Sequence, residues 1–329
     1  MTKFKKVTAR APANIALVKY WGKRDEELIL PQNSSISVCL SELYTETSVE
    51  FDADLTADEV LFASVPLQDA KRDKVIKHLD NVREMAGIAM KARVASTATF
   101  PMSAGLASSA SGFAALSLAA SRAAGLNLSE CELSILARRG SGSASRSIPD
   151  GFTKWKKGEQ ADGSDSFACS IQSPEMDWGF RMVIPVITLE EKKVSSRTGM
   201  AQSVATSPYY SSWLETVADD LAVVEQGILD KDFEAVAQRA EISALKMHAL
   251  MQTTQPPIIY WTARTVELIH FVHALRDQGL LVYLTMDAGP QVKIMCQEKD
   301  LGDLRREIEK LEGIEKLFIC KPSRGAEVI

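Results

Sequence analysis

Cysteine is scarce in this chain, and what there is lacks useful spacing. The 329 residues hold five, Cys39, Cys131, Cys169, Cys296 and Cys320, with no CxxC pair. That pattern excludes a zinc ribbon and offers no disulfide framework, so the thiols are expected to be buried in a reducing compartment. Basic residues are in deficit. The 38 Lys and Arg stand against 43 Asp and Glu, for a formal net charge of -5 and a pI near 5.6. A broad basic face for nucleic acid is therefore excluded, and any anionic ligand must be met by a local cluster. No window approaches the roughly 20 apolar residues of a membrane span, and the opening MTKFKKVTAR has no apolar run behind its charges. A cytoplasmic protein with neither a membrane nor a nucleic-acid partner is the expectation. Repeats and low-complexity linkers are absent as well.

What is present is an ordinary globular composition, 46% hydrophobic and 25% charged, on a chain long enough for two domains at about 150 residues each. KVTARAP, SSISVCL and ETSVEF have the β-branched content of strands, 73–85 has the periodicity of a helix, and KARVASTATF reads as a strand ending at Pro101. Helical faces follow at Val217, Leu221, Val224 and Ile228 and at Leu268, Val272 and Leu275. The strand-like LLVYLTM, QVKIMC and KLFIC come last, with a charged helix near 303–311. The class is mixed α/β (α+β), with a break expected where FRMVIPVI meets TLEEKKVSSR. That gives domains of 1–188 and 189–329.

Four segments carry candidate chemistry. In ANIALVKYWGKRDEELIL, Lys19, Lys23 and Arg24 crowd around a Tyr20-Trp21-Gly22 that looks exposed. In FPMSAGLASSASGFAAL, a strand ending in Pro leads through Gly105 into a helix of small residues. Free N–H groups at such a helix start suit phosphate, although no Gly-Lys-Ser/Thr of the Walker type follows; close helix packing is the alternative. In ARRGSGSASRSIPDGF, serines and glycines sit among Arg138, Arg139 and Arg146, either a carboxylate or phosphate site or a flexible turn. In LLVYLTMDAGPQVKIMC, Asp287 ends an apolar run beside a tight turn, as turn-former or as a carboxylate on a rigid element. His248 reads as a structural helix residue. His270 and His273 lack an acidic third ligand, so metal is discounted there, and the Lys71, Arg72 and Lys74 group is either an anion contact or a solvated helix start.

Together these ordered segments resemble the GHMP kinase superfamily, and within it most closely the mevalonate diphosphate decarboxylase family. The resemblance spans nearly the whole chain. It implies an N-terminal domain like ribosomal protein S5 domain 2 and a ferredoxin-like C-terminal domain, with the site in the cleft between them and a homodimer as the assembly. It also implies a reaction: ATP, with Mg2+, phosphorylates the 3-hydroxyl of mevalonate 5-diphosphate, and phosphate and CO2 then leave to give isopentenyl diphosphate. Carried over by position, Asp287, Lys19 and Arg146 are the catalytic group. Tyr20, Trp21, Gly22, Lys23, Lys74, Ser141, Gly142, Ser143, Ala144, Arg146 and Arg197 match substrate positions. Ser103, Ala104, Gly105, Leu106, Ala107, Ser108 and Ser109 would cradle the ATP phosphates, with no protein ligand assigned to Mg2+ beyond Ser108 or Ser109. Departures stand at Met102-Ser103, Pro149-Asp150-Gly151 and Gln291, of which Asp150 adds a negative charge near an anion site. A monophosphate decarboxylase, a 3-kinase and an idle binding protein are the rival readings.

Overall fold

The computed structural model describes residues 5–101, 105–190 and 192–329. Its first half runs β1 (Val7–Val18), β2 (Lys23–Asp25), β3 (Leu30–Pro31), β4 (Ser35–Asp52), β5 (Glu59–Phe62), β6 (Val65–Pro66), α1 (Asp69–Ala86), β7 (Lys91–Ala98), α2 (Ser108–Ala123), α3 (Glu130–Gly140), β8 (Phe152–Trp155) and β9 (Ala168–Gln172). The second half opens with β10 (Phe180–Val186), passes through α4 (Ser196–Thr206), α5 (Tyr210–Asp230), α6 (Phe233–Gln252) and α7 (Ala263–Asp277), and closes with β11 (Tyr283–Thr285), β12 (Lys293–Gln297), α8 (Leu301–Ile308), β13 (Lys316–Cys320) and β14 (Glu327–Val328).

The N-terminal sheet has the order β14-β1-β4-β7-β5-β6, with β8 paired along the first part of β4 and β9 paired outside it on β8. SSISVCL and ETSVEF, read above as separate strands, are one strand, β4. Its pairing with β1 jumps from Asn14↔Cys39 to Pro12↔Tyr44, and Glu42 takes φ 57° within the extra residues. A bulge of this kind bends the strand without ending it, which apolar alternation cannot reveal. The helix α2 lies on β1 and β4. Its buried face of Ala110, Ser111, Ala114, Ala115 and Ala119 lets the helix backbone approach the sheet closely. The capping box of Ser129 and Glu132 starts α3, and Gly87, at φ 64°, ends α1.

The second sheet has the order β11-β12-β10-β13. Alternation along its strands divides the side chains between two cores. Val183, Leu284 and Ile294 pack with Leu268, Val272 and Leu275 of α7 and Leu304 and Ile308 of α8. Met182, Ile184, Tyr283 and Met295 face the other way, into a core with Val217 and Val224 of α5, Val236 and Met247 of α6, and Ile15, Leu17, Ile36 and Val38 of the first sheet. The halves thus share one apolar core. The expected break between 188 and 189 requires correction, because β10 is hydrogen-bonded between β12 and β13 and belongs to the second sheet, so the change-over precedes Phe180. The tail then returns, with β14 pairing onto β1.

The thiols need a correction too: Cys39, Cys296 and Cys320 are buried, but Cys131 is exposed and Cys169 only half-buried. No described helix is long and apolar enough to cross a membrane.

Candidate active site

The buried strand β1 ends at Val18 and delivers Lys19 to the seam between the halves, where its side chain is 1% exposed. Its ammonium donates to Asp287 Oδ1 at 2.8 Å and to the Ala16 carbonyl at 2.6 Å. Asp287 stands on the turn between β11 and β12. That turn is fixed from several sides: Gly289 N–H donates to the Asp287 carbonyl at 2.8 Å, and the Pro290 carbonyl accepts from Thr265 on α7 at 2.9 Å. His248, on α6, lies with Nε2 3.2 Å from the same Asp287 carbonyl. A carbonyl can only accept, so His248 carries its proton on Nε2. Burial holds this imidazole down at about 3, so it is neutral.

A second buried ammonium, Lys293 on β12, lies 3.4 Å from Asp287 Oδ2 and donates to the Gly105 carbonyl at 3.1 Å. Burial alone would raise the Asp287 pKa, but Lys19 and Lys293 outweigh it and hold the carboxyl well below its ordinary range. Lys19 is itself lowered to about 8, chiefly by burial and with Lys293 adding to the effect, while Asp287 opposes them. Lys192 completes the group, donating to the Ala288 carbonyl at 2.8 Å and to Ser196 at 2.7 Å. It too is lowered to about 8, mainly by burial.

Gly105 lies beside this cluster, its carbonyl held by Lys293. Gly105 has φ 80°, and a β-carbon on Gly289 would sit 2.9 Å from Gly105 Cα, so two glycines let these backbones touch. Ala107 holds φ 58° just before α2, a conformation uncommon outside glycine and one that concentrates at ligand sites. α2 begins at Ser108, and the N-terminal end of a helix presents its backbone N–H groups and positive dipole end in a way that suits phosphate oxygens. Leu106 is buried in the core and offers a ligand only its backbone. Ser103 and Ala104 lie outside the described residues.

Across the cleft, a short 3-10 helix, Gly142–Ser147, follows α3 and carries Arg146. The guanidinium donates to Ser35 Oγ at 2.6 Å and to Asn14 Oδ1 at 3.2 Å, and lies 5.8 Å from the Trp155 ring. Burial lowers Arg146 to about 10, with Asp287 pulling the other way, so the group stays charged. Asn14 is held in turn by donating to the Ser143 carbonyl and to Ser147. Tyr20 packs edge-on against Trp155 at 4.7 Å, and its hydroxyl is buried without a hydrogen-bond partner. A β-carbon at Gly142 would be 2.9 Å from both Trp155 and the Tyr20 hydroxyl, which is why glycine stands there. Ser141 and Ser143 hydroxyls lie 3.3 Å apart, and Ala144 is buried, leaving its backbone alone available.

The opening basic cluster divides three ways. Lys19 goes inward, Lys23 pairs with Glu26 at 2.5 Å, and Arg24 reaches the carbonyls of Lys157, Gly158 and Gln160 at 3.3–3.4 Å. Trp21, expected to be exposed, is 2% exposed, because its ring packs near Gly199 and its carbonyl accepts from Tyr210. Gly22, with φ 112°, has room for no side chain beside the Tyr210 hydroxyl. Lys74 on α1 and Arg197 on α4 lie near enough to interact electrostatically. The Lys74 pKa is lowered by burial and then by Arg197 and Lys71, while Arg197 also acts on Tyr20. Arg138 turns away from this group, donating to the backbone carbonyls of Leu28, Gly163 and Ser166. The Asp150 carboxylate accepts from Gly325 N–H at 2.7 Å and so pins the tail. Gln291 clamps Ile187 and Thr188.

Lys293, Lys192 and Asn14 join the site although no motif in the sequence singles them out. Lys293 had a faint signal, as a lone cation in the otherwise apolar VKIMC. Nothing local marked the other two.

Residues 11–168 match a family model described as the diphosphomevalonate decarboxylase-like N-terminal domain, and residues 182–319 one described as the mevalonate 5-diphosphate decarboxylase C-terminal domain. The human diphosphomevalonate decarboxylase is 39% identical, over 90% of this chain and 78% of its own length. Among solved structures, mevalonate diphosphate decarboxylase from Staphylococcus aureus superposes with a TM-score of 0.94 at 40% identity, covering 99% of this chain and 98% of the other. MDDEF in complex with MVAPP, AMPPCP and magnesium gives a TM-score of 0.93 at 42% identity, with 98% of each chain covered.

Proposed function

The chain belongs to the diphosphomevalonate decarboxylase family, and from that premise we propose that it converts mevalonate 5-diphosphate and ATP to isopentenyl diphosphate, ADP, phosphate and CO2. The observation that carries the reading is the contact of Lys19 with Asp287 at 2.8 Å beside the Gly105 loop, in a seam that also holds Arg146. MVAPP and AMPPCP with magnesium are bound by the similar MDDEF.

In this reading the ATP phosphates lie on the Gly105–Ser109 loop, with Ser108 or Ser109 as the hydroxyls able to hold Mg2+, which neutralises phosphate charge. Arg197, Lys74, Lys23 and the Tyr20 hydroxyl face the substrate diphosphate. Arg146 forks onto the substrate carboxylate, its orientation set beforehand by Ser35 and Asn14. Asp287 accepts a hydrogen bond from the 3-hydroxyl and aims its oxygen at the terminal phosphorus. An O–P bond forms as the bond from that phosphorus to ADP breaks, and the hydroxyl proton passes to the Asp287 carboxylate and on to solvent, which returns Asp287 to its ionised form. The C3–O bond then breaks with its electron pair leaving on phosphate, and the pair of the C–CO2 bond moves to form the alkene as CO2 departs. Positive charge at C3 is met by the Asp287 carboxylate, which its two lysines keep ionised. We place this reaction in the cytoplasm, as befits water-soluble anionic substrates, and on a homodimer, as the family resemblance implies.

Incubation with Mg-ATP and either mevalonate 5-diphosphate or the monophosphate, following ADP and CO2 together, tests the reading. Equal ADP and CO2 from the diphosphate alone is the expected result. ADP without CO2 would make the protein a 3-kinase, and turnover of the monophosphate would change the substrate.

A further inference from the structure

We infer that Lys293 is a positioning residue for this reaction, a buried clasp that fixes the phosphate loop against the reacting carboxylate. The inference rests on the assignment of Asp287 above. Its ground is geometric: one ammonium, 1% exposed, reaches both Asp287 Oδ2 at 3.4 Å and the Gly105 carbonyl at 3.1 Å. Those two partners lie 182 residues apart in sequence. The clasp closes over the point where the Gly105 and Gly289 backbones touch.

Charge balance makes the second lysine hard to explain as simple structure. Lys19 alone neutralises Asp287, and burying another ammonium costs free energy unless something recovers it. With Lys19 and Lys293 both charged, the triad is left with an excess of one positive charge, which a phosphoryl group arriving between loop and carboxylate would complete. The rigid support is local, since Lys293 sits in the middle strands of the second sheet, on β12 between β11 and β10. A methionine there would keep the stem's packing and lose both polar contacts.

The test uses the full-length enzyme and three variants, Lys293→Met, Lys293→Gln and Lys293→Arg, with Mg-ATP and mevalonate 5-diphosphate. Thermal unfolding, kcat, KM for ATP and the alkaline limb of kcat/KM are read for each. The charged and titratable groups facing Lys19, whose ionisation sets that limb, are Asp287 on the β11–β12 turn, Lys293 on β12, Arg146 on the short helix and His248 on α6. Lys293→Met is expected to lower kcat about 10- to 100-fold, the cost of a small misplacement of reacting groups. Without the neighbouring cation the alkaline limb should move to higher pH. Lys293→Gln keeps an N–H donor for Gly105 but not the charge, so it should show the same limb shift with a smaller loss of kcat. Lys293→Arg keeps the charge and should leave the limb in place; this comparison of Gln with Arg decides the matter if the Met variant does not fold. Folded variants with unchanged kcat and an unmoved limb would overturn the inference. So would activity that falls only in step with thermal stability. Absence of turnover in the unaltered enzyme would instead remove the premise, and the inference with it.

Discussion

Two carboxylates in this molecule, Asp220 and Asp287, each lie between two cations, and their exposure is reversed. Asp220 on α5 is fully buried, while its partners Arg239 and Lys246 on α6 are 32% and 27% exposed at their side chains. At Asp287 the partners Lys19 and Lys293 are each 1% exposed, and the carboxylate is 24% open. The first arrangement hides the short side chain and lets the long ones hydrate their charged ends. It also joins neighbours on a helix hairpin, with sequence separations of 19 and 26 between the partners. The second arrangement dehydrates both ammonium groups and leaves the anion able to meet a ligand. Its Lys19 contact spans 268 residues. A cluster that strips water from the supporting charges and leaves one charge accessible is built to hold that group ready, at a cost to stability.

The largest effect separating the two should come from Asp287→Asn. Turnover is expected to fall by roughly 10³-fold, the scale of losing a group that acts on charge in the transition state. Nucleotide affinity, measured by titration with a fluorescent ATP analogue, should stay near that of the unaltered protein; near-normal turnover would refute the role of Asp287. Arg146→Lys comes next. It keeps the charge but loses the fork held by Ser35 and Asn14, and about 10- to 100-fold should go from kcat/KM, equal to one or two charged hydrogen bonds. A benign Arg146→Lys would place the carboxylate elsewhere.

A pH series sharpens the contrast further. Lys19 and Lys192 are lowered to about 8 from an ordinary 10.5, chiefly by burial. Between those values the unfolded chain binds more protons than the folded one, so their contribution to stability rises with pH across that window. Activity that needs Lys19 charged falls over the same window. Urea unfolding and kcat at pH 7.5 and 9.5 should therefore move in opposite directions as far as these groups dominate; a catalytic rate that holds steady through pH 9.5 would remove Lys19 from the reaction. The smallest effect on catalysis should come from Asp220→Asn. Its turnover should remain within about twofold, while stability drops by about 1–3 kcal/mol, because a buried amide replaces a doubly paired carboxylate. A strong catalytic loss there would erase the distinction.

Much of the fold was legible along the chain because its signals are local. The small-residue face of α2 and the spacing of Val217, Val224 and Ile228 on α5 are properties of contiguous segments. Where reading failed, a distant partner decided. The bulge that makes β4 one strand is set by its pairing to β1, and β10 reads locally with the first half because its hydrogen-bond partners β12 and β13 come more than 100 residues later. Trp21 looked exposed between charged neighbours, yet Tyr210 on α5 takes its carbonyl and the second half covers its ring. Asp287, Lys19 and Arg146 stood out through ordered motifs. Lys293 did not, since a single cation in a strand reads equally well as a solvent-facing residue.

By itself, then, the sequence determined the chemical groups available: a run of small residues before a helix, an aspartate at a strand end, an arginine among serines, and cations confined to short clusters within an acidic chain. Tertiary structure decided which of those groups are dry, which are paired and which remain open. Desolvation and Coulombic coupling depend on separations in space of a few ångströms. The shared core between the two sheets sets those separations by bringing the end of β1 against the β11–β12 turn.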